Sequence, residues 1–283
     1  MGHASISPEH GADAVPNADR LATAFARAKG EGRTPLIIYL TAGDPDAEAS
    51  FDMILAAADA GMDILELGIP WSDPSADGLA VQGAMLRALN AGGGLSAALK
   101  LCARIRQARP ALPVVLFGYA NPIVVRGCAK FAAEAKAAGA DAVLCVDWPA
   151  DEDKELPDAL RAQGLGFVPL LAPTSTAART QAALDVAGGF VYYVSLTGIT
   201  GAKLTDFSRP AAHVAQIRSA AANRLPVVVG FGIATPQDAR TVAGFADGVV
   251  VGSAVVRLIE NSPQTAKADL VRLVTGLAQG LRG

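Results

Sequence analysis

Short runs of apolar, β-branched residues alternate along the chain with longer Ala-rich stretches. The runs Leu36–Thr41, Ile64–Gly68, Pro113–Tyr119, Ala142–Val146, Gly166–Leu170, Phe190–Ser195, Pro226–Gly230 and Gly248–Val251 read as strands. They are apolar almost throughout and do not alternate with polar residues, which is the pattern of strands covered on both faces. Eight such strands separated by helical stretches, in a chain near the roughly 250 residues typical of the fold, predict an α/β protein of the (β/α)8 TIM barrel type. Extra helices are expected at Asn17–Lys29, ahead of the first strand, and at Leu79–Leu89, inside the second crossover. Ala60-Gly61-Met62-Asp63 and Ala138-Gly139-Ala140-Asp141 precede the second and fourth strands, with Gly placed for a left-handed helix cap. Their likeness hints at a repeated βα unit. A doubly wound open sheet is the alternative, but Thr41-Ala42-Gly43-Asp44-Pro45 supplies no Gly-rich dinucleotide fingerprint.

Composition narrows the reading. The 283 residues are 51% hydrophobic and only 5% aromatic, as suits small side chains packing helices against a parallel sheet. One barrel domain, 19–283, is expected, behind a disordered tail at 1–18 that lacks the apolar core of a signal peptide. The Met-Gly start does not extend to a myristoylation pattern, because position 6 is Ile6. The net charge of -3 advertises no nucleic-acid surface. No apolar run reaches the roughly 18 residues that span a membrane. Cys102, Cys128 and Cys145 form neither a zinc pattern nor a disulfide framework, and a reducing, cytoplasmic location is expected.

Chemistry concentrates in ILELGIPWSDPSADG, Ile64–Gly78. Glu66 lies between Leu65 and Leu67 in a buried strand, where a carboxylate is costly unless paired or used. It can be read as an interior salt-bridge partner, although no Lys or Arg occurs in any expected strand. Asp77 follows eleven residues later on a loop able to fold back. Asp73 and the Asp77-Gly78 pair also read as simple turn formers. In this fold, active sites lie at the C-terminal ends of strands. Three Gly-containing loops end consecutive strands there: Thr197–Gly201, Gly230–Ile233 and Gly252-Ser253. Glycines let backbone N–H groups approach an anion, and a helix start adds a favourable dipole, so these loops favour a phosphate over mere turns. Thr235-Pro236 reads structurally, as an N-cap and first-turn proline. His3 and His10 lie in the tail and His213 on an outer helix, read as solvated, so neither a Ser-His-Asp triad nor a His-bound metal is expected. A Schiff base needs a lysine inside the barrel, and the nearest, Lys203, is in a loop. What remains is proton transfer by carboxylates on a phosphorylated substrate.

ILELGIPWSDPSADG, LFGYANPI (Leu116–Ile123), VDWPADE (Val146–Glu152), YYVSLTGITG (Tyr192–Gly201) and VGFGIATPQ (Val229–Gln237) resemble, in order, the tryptophan synthase α subunit family. The resemblance runs from about Arg20 to the C-terminus. It implies a (β/α)8 barrel that cleaves indole-3-glycerol phosphate to indole and glyceraldehyde 3-phosphate. It also implies a β subunit that receives the indole, in an α2β2 heterotetramer. No cofactor is implied in this chain, and pyridoxal phosphate is expected in the partner. By motif, Glu66 matches the catalytic glutamate and Asp77 the aspartate facing the indole nitrogen. Tyr192 matches a site tyrosine, and Tyr39 and Phe231 match aromatics around the indole. Thr200 matches the threonine of a lid over Leu196–Arg209, and Gly201, Gly232, Gly252 and Ser253 match phosphate-binding positions. Trp71 stands where Phe is usual, Leu79 where Pro is common, Leu196 where some members have Arg, and Phe190 where others have Tyr. Trp71 and Leu79 are expected to face the partner.

The expected roles follow. Glu66, its pKa raised by apolar neighbours, protonates the indole ring and then accepts the glycerol hydroxyl proton. Asp77 stays ionised and stabilises the charge on the ring. A different phosphosugar barrel enzyme and a barrel kept only to activate a partner are the rival readings. A related indole-pathway synthase would need a strand-end lysine, and none is visible.

Overall fold

The computed structural model describes residues 17–194, 207–230 and 232–282. In chain order the elements are α1 (Asn17–Gly30), β1 (Leu36–Thr41), α2 (Ala47–Ala60), β2 (Ile64–Gly68), α3 (Leu79–Asn90), α4 (Leu95–Ala108), β3 (Val114–Gly118), α5 (Ala120–Arg126), α6 (Cys128–Ala137), β4 (Ala142–Cys145), α7 (Glu155–Ala162), β5 (Gly166–Phe167), β6 (Leu170–Leu171), α8 (Ala177–Val186), β7 (Val191–Val194), α9 (Ser208–Ala220), β8 (Val227–Gly230), α10 (Pro236–Ala243), β9 (Gly248–Val251), α11 (Ser253–Asn261) and α12 (Ala266–Gly280).

Every strand pairing is parallel, in the order β5-β4-β3-β2-β1-β9-β8-β7-β6. The two ends of that order are one short stretch of chain. Val168 donates its N–H to Val143 O at 2.8 Å on one side, and Pro169 O accepts from Tyr192 N at 3.0 Å on the other. The ring therefore closes through residues 166–171 as the fifth strand of a (β/α)8 barrel. That strand was expected to be continuous over Gly166–Leu170. Pro169 carries no N–H for a ladder, and the strand is split there into β5 and β6. Among the described residues, no helix is long and apolar enough to cross a membrane.

Residue parity along the strands sorts the core into two layers. Ile37, Tyr39, Ile64, Val115, Phe117, Leu144, Tyr192, Val228 and Val250 point inward and pack together. Their neighbours Ile38, Leu65, Leu67, Leu116, Val143, Tyr193 and Val229 point outward beneath the helices. Glu66 takes the inward parity, in register with Tyr39 on β1 and Val115 on β3.

The Gly-x-Asp junctions have a shared mechanical role at the N-terminal mouth. Gly61 (φ 117°) and Gly139 (φ 84°) adopt the left-handed conformation that ends the preceding helix. Two residues on, the Asp side chain accepts the first N–H of the neighbouring strand: Asp63 from Leu36 at 2.9 Å and Asp141 from Val114 at 2.8 Å. In return, the Asp N–H binds the carbonyl of that same residue. Asp247 repeats the exchange with Val227, at 2.9 Å each way, without the left-handed Gly. Arginines neutralise each carboxylate: Arg27 and Arg33 on Asp63, Arg20 and Arg106 on Asp141, and Arg218 on Asp247. Asp141→Ala would remove the carboxylate that pairs with Arg20 and Arg106 and the acceptor of a buried N–H. It is expected to cost about 3–5 kcal/mol, the range for breaking a buried pair. Urea unfolding checks this, and a loss below about 1 kcal/mol would contradict it.

Candidate active site

The C-terminal strand ends collect the candidate residues. Glu66 is 1% exposed, and among the described residues its Oε1 is the buried side-chain oxygen with no hydrogen-bond partner. Among the described residues no cation pairs with it, so the salt-bridge reading has no support there. Burial alone pushes its carboxyl up to about 8. A carboxyl in that state is a neutral acid near pH 7.

Asp77 reaches the same region from the loop after β2. The loop is braced by Asp77 N–H to Pro74 O at 3.0 Å and by Gln82 Nε2 to Asp77 O at 2.7 Å. Tyr119, at the end of β3, donates its hydroxyl to Asp77 Oδ2 at 2.7 Å and accepts the Ala76 N–H at 3.2 Å. Burial raises the Asp77 carboxyl to about 6, partly offset by the Tyr119 hydrogen bond. At pH 7 the group is thus mostly ionised. Sequence reasoning missed Tyr119. The available signal was its parity: it continues the inward set Val115 and Phe117, and a tyrosine hydroxyl carried into a core needs a partner. Asp73 is exposed, and its carbonyl accepts the Ser75 N–H, as in a turn.

Two tyrosines wall the space around Glu66. The Tyr39 hydroxyl lies 3.1 Å from Thr41 Oγ1, and its ring meets Phe117 edge-on with centroids 5.2 Å apart. Burial, with the Glu66 and Asp77 carboxylates as lesser contributors, pushes the hydroxyls of Tyr39 and Tyr192 well above their ordinary range. Both remain protonated donors. Each lies across the glycine that ends a neighbouring strand: a Cβ at Gly68 would occupy the Tyr39 hydroxyl, and one at Gly230 the Tyr192 hydroxyl. The glycines at these strand ends are therefore space for aromatic rings.

Gly232 follows β8 at φ 68°, a left-handed position that suits glycine. Gly252 caps α11, and Ser253 is its first residue. The first intrahelical bond runs from Val256 N to Gly252 O, which leaves the N–H groups of the preceding turn for an anion. A Cβ at Gly252 would come within 3.3 Å of Tyr39 Cβ, so this turn abuts the aromatic wall. Thr200, Gly201 and Phe231, and the expected lid up to Asp206, lie outside the described residues, as does most of the tail.

His213 is not simply solvated: its Nδ1 lies 2.8 Å from the Tyr193 hydroxyl, because Tyr193 has outward parity and its hydroxyl meets α9. Trp71 leans against the interior cluster, whereas Leu79 is 82% exposed at the start of α3. Thr235 caps α10 in a capping box with Asp238, ahead of Pro236.

Because Tyr119 holds Asp77, Tyr119→Phe is expected to lower turnover about tenfold to a hundredfold, the scale of a lost hydrogen bond to a charged group. It is also expected to move the acid limb of the rate profile above about 6, since that hydrogen bond holds the Asp77 pKa down. A lowered rate with an unmoved limb would contradict the positioning role.

Comparison with known proteins places this geometry in context. The family model of the tryptophan synthase alpha chain matches residues 25–281. A tryptophan synthase alpha chain from Rhizorhabdus wittichii is 46% identical over 263 residues, covering 93% of this chain and 96% of that one. The structure of tryptophan synthase subunit alpha from Legionella pneumophila superposes with a TM-score of 0.85 at 34% identity, covering 93% of this chain and 98% of that one. A Mycobacterium tuberculosis tryptophan synthase chain gives 0.85 at 32% identity, with the same coverage.

Proposed function

The chain belongs to the tryptophan synthase alpha chain family, and from that premise we propose that it cleaves indole-3-glycerol phosphate to indole and glyceraldehyde 3-phosphate by a retro-aldol reaction. The observation that carries the proposal is a pair of carboxyls at one mouth in different surroundings: Glu66 is buried with its Oε1 unpartnered and is pushed up to about 8, whereas Asp77 accepts the Tyr119 hydroxyl and is pushed up only to about 6. Environments that push two acids apart in this way assign an acid and a base.

Glu66 starts protonated and gives its proton to indole C3. The ring becomes an indoleninium cation, and the Asp77 carboxylate stabilises the charge on its nitrogen. The resulting Glu66 carboxylate takes the proton from the hydroxyl on the carbon attached to C3. The C–C bond breaks, its electrons restore the neutral indole, and the hydroxyl carbon becomes the aldehyde. Glu66 ends protonated, so one proton has entered and one has left. Tyr39, Tyr192 and Phe231 flank the indole. Gly232, Gly252 and Ser253, with Gly201, grip the phosphate, and this remote binding holds C3 against Glu66. Thr200 belongs to a lid that closes toward Asp77 and excludes water.

Indole is passed to a β subunit, and the pyridoxal phosphate of the overall synthesis resides there. Leu79 and Leu86 on α3, and Val124 and Val125 on α5, are 82%, 60%, 56% and 82% exposed. These helices follow the adjacent strands β2 and β3 and offer an apolar surface beside the site. An α2β2 assembly in the cytoplasm fits that surface and the three free, buried cysteines.

The testing experiment is indole release by the isolated chain, with and without a β subunit. Slow release alone and faster release with the partner is expected. Silence in both conditions would show a pure activator, and full speed alone a free-standing lyase.

A further inference from the structure

The opposite mouth of the barrel carries a groove of about 820 Å³, formed by the segments that precede β1, β8 and β9 together with the ends of α1 and α12. Its charge is one-sided although the whole chain is acidic. Two of its five cations are already neutralised. Arg33 is forked on Asp63 and bonded to Glu31, and Arg218 is forked on Asp247, the groove's carboxylate. The other three, Lys29 on α1, Arg224 ahead of β8 and Arg240 on α10, have no carboxylate within ion-pair distance among the described residues. Among the described residues, Arg224 and Arg240 each spend only Nε, on the carbonyls of Ala221 and Gly280 at 3.2 and 3.3 Å. Their terminal N–H groups stay available for the bidentate geometry that phosphate oxygens accept. Phe25, Pro35, Leu225 and Pro226 add apolar wall, and the Asn223 amide and Thr34 hydroxyl add neutral hydrogen-bonding groups.

We propose that this groove binds a small organic diphosphate of the nucleotide class. Three cations from three separate segments, unneutralised among the described residues, call for an anion of two or three charges. The apolar wall calls for a ring. The volume falls within the roughly 300–1,000 Å³ of small-molecule sites and far exceeds what a lone phosphate fills. The groove's lining carboxylate, Asp247, is ion-paired with Arg218 and is not free for proton transfer. It is a binding site separate from the carboxylate pair at the other mouth.

The test is calorimetric titration of the full chain with ADP, first alone and then with glycerol 3-phosphate saturating so that the catalytic mouth does not compete. Saturable one-to-one binding is expected, weakening as salt is raised because the contacts are ionic. The double variant Lys29→Ala/Arg224→Ala changes two exposed side chains. It is expected to weaken ADP at least tenfold and to leave indole release unaltered. Adenosine, which lacks the charge, is expected to bind at least tenfold more weakly than ADP. Absence of saturable binding, binding abolished by glycerol 3-phosphate, wild-type affinity in the double variant, or adenosine binding as tight as ADP would each overturn the proposal. None of these outcomes depends on whether the chain cleaves indole-3-glycerol phosphate, because indole release is read separately.

Discussion

Glu66→Gln is expected to reduce indole release at least about 10³-fold while leaving phosphate affinity near that of the parent protein. Positioned proton transfer contributes about 10²–10⁴, and here one side chain carries two such transfers. Gln keeps the shape and the burial but can neither give a proton to C3 nor take one from the hydroxyl. The same substitution has a stability signature of defined sign. Glu66 is held at about 8 in the fold against an ordinary 4.5. The protonated form is therefore favoured by folding. Its contribution is fully present below about 4.5 and is lost as pH rises through about 8. The Gln variant should be less sensitive to pH across that window and, above it, more stable than the parent. Retained turnover in Glu66→Gln would remove the residue from the mechanism. Urea midpoints that vary identically with pH in both proteins would remove the buried-acid account.

Asp77→Asn is expected to lower kcat/KM about 10²–10³-fold, the range for deleting one group aimed at developing charge. The loss should fall on kcat more than on KM, because the ring is charged only after C3 accepts its proton. The amide still fills the space and can still meet Tyr119. Glu66 should go on titrating in this variant, since burial, not Asp77, sets its value. Kinetics at saturating and limiting substrate, combined with the pH profile, check both halves. An unchanged kcat would contradict the electrostatic role.

The eight-strand pattern was legible because the strands are buried on both faces over most of their length and so appear as nearly continuous apolar runs. β1, β2 and β9 have the same limits in the sequence and in the structure. The fifth strand was misread because its two halves pair with different neighbours around Pro169, and an apolar run does not show which N–H groups a ladder uses. The Gly-x-Asp junctions before β2 and β4 were visible as a repeat. The third, at Asp247, was hidden because its helix ends without the left-handed glycine that made the others conspicuous.

Side-chain partnerships were the least legible. Glu66 stood out because a carboxylate inside an apolar strand conflicts with its surroundings at one position. Tyr119 and the Tyr193–His213 contact did not, because each is a pairing between residues distant in the chain whose separate types look ordinary. The shift of Asp77 to about 6 arises from how deeply its loop folds inward, which no local pattern encodes.

Cleavage by this route requires Glu66 to be protonated at working pH. Difference infrared titration of the parent protein against Glu66→Gln isolates that single carboxyl stretch. A midpoint near 8 is the expected result, with the protonated band dominant at pH 7. A midpoint near the ordinary 4.5 would mean that the side chain is a solvated or paired carboxylate, and would contradict the mechanism.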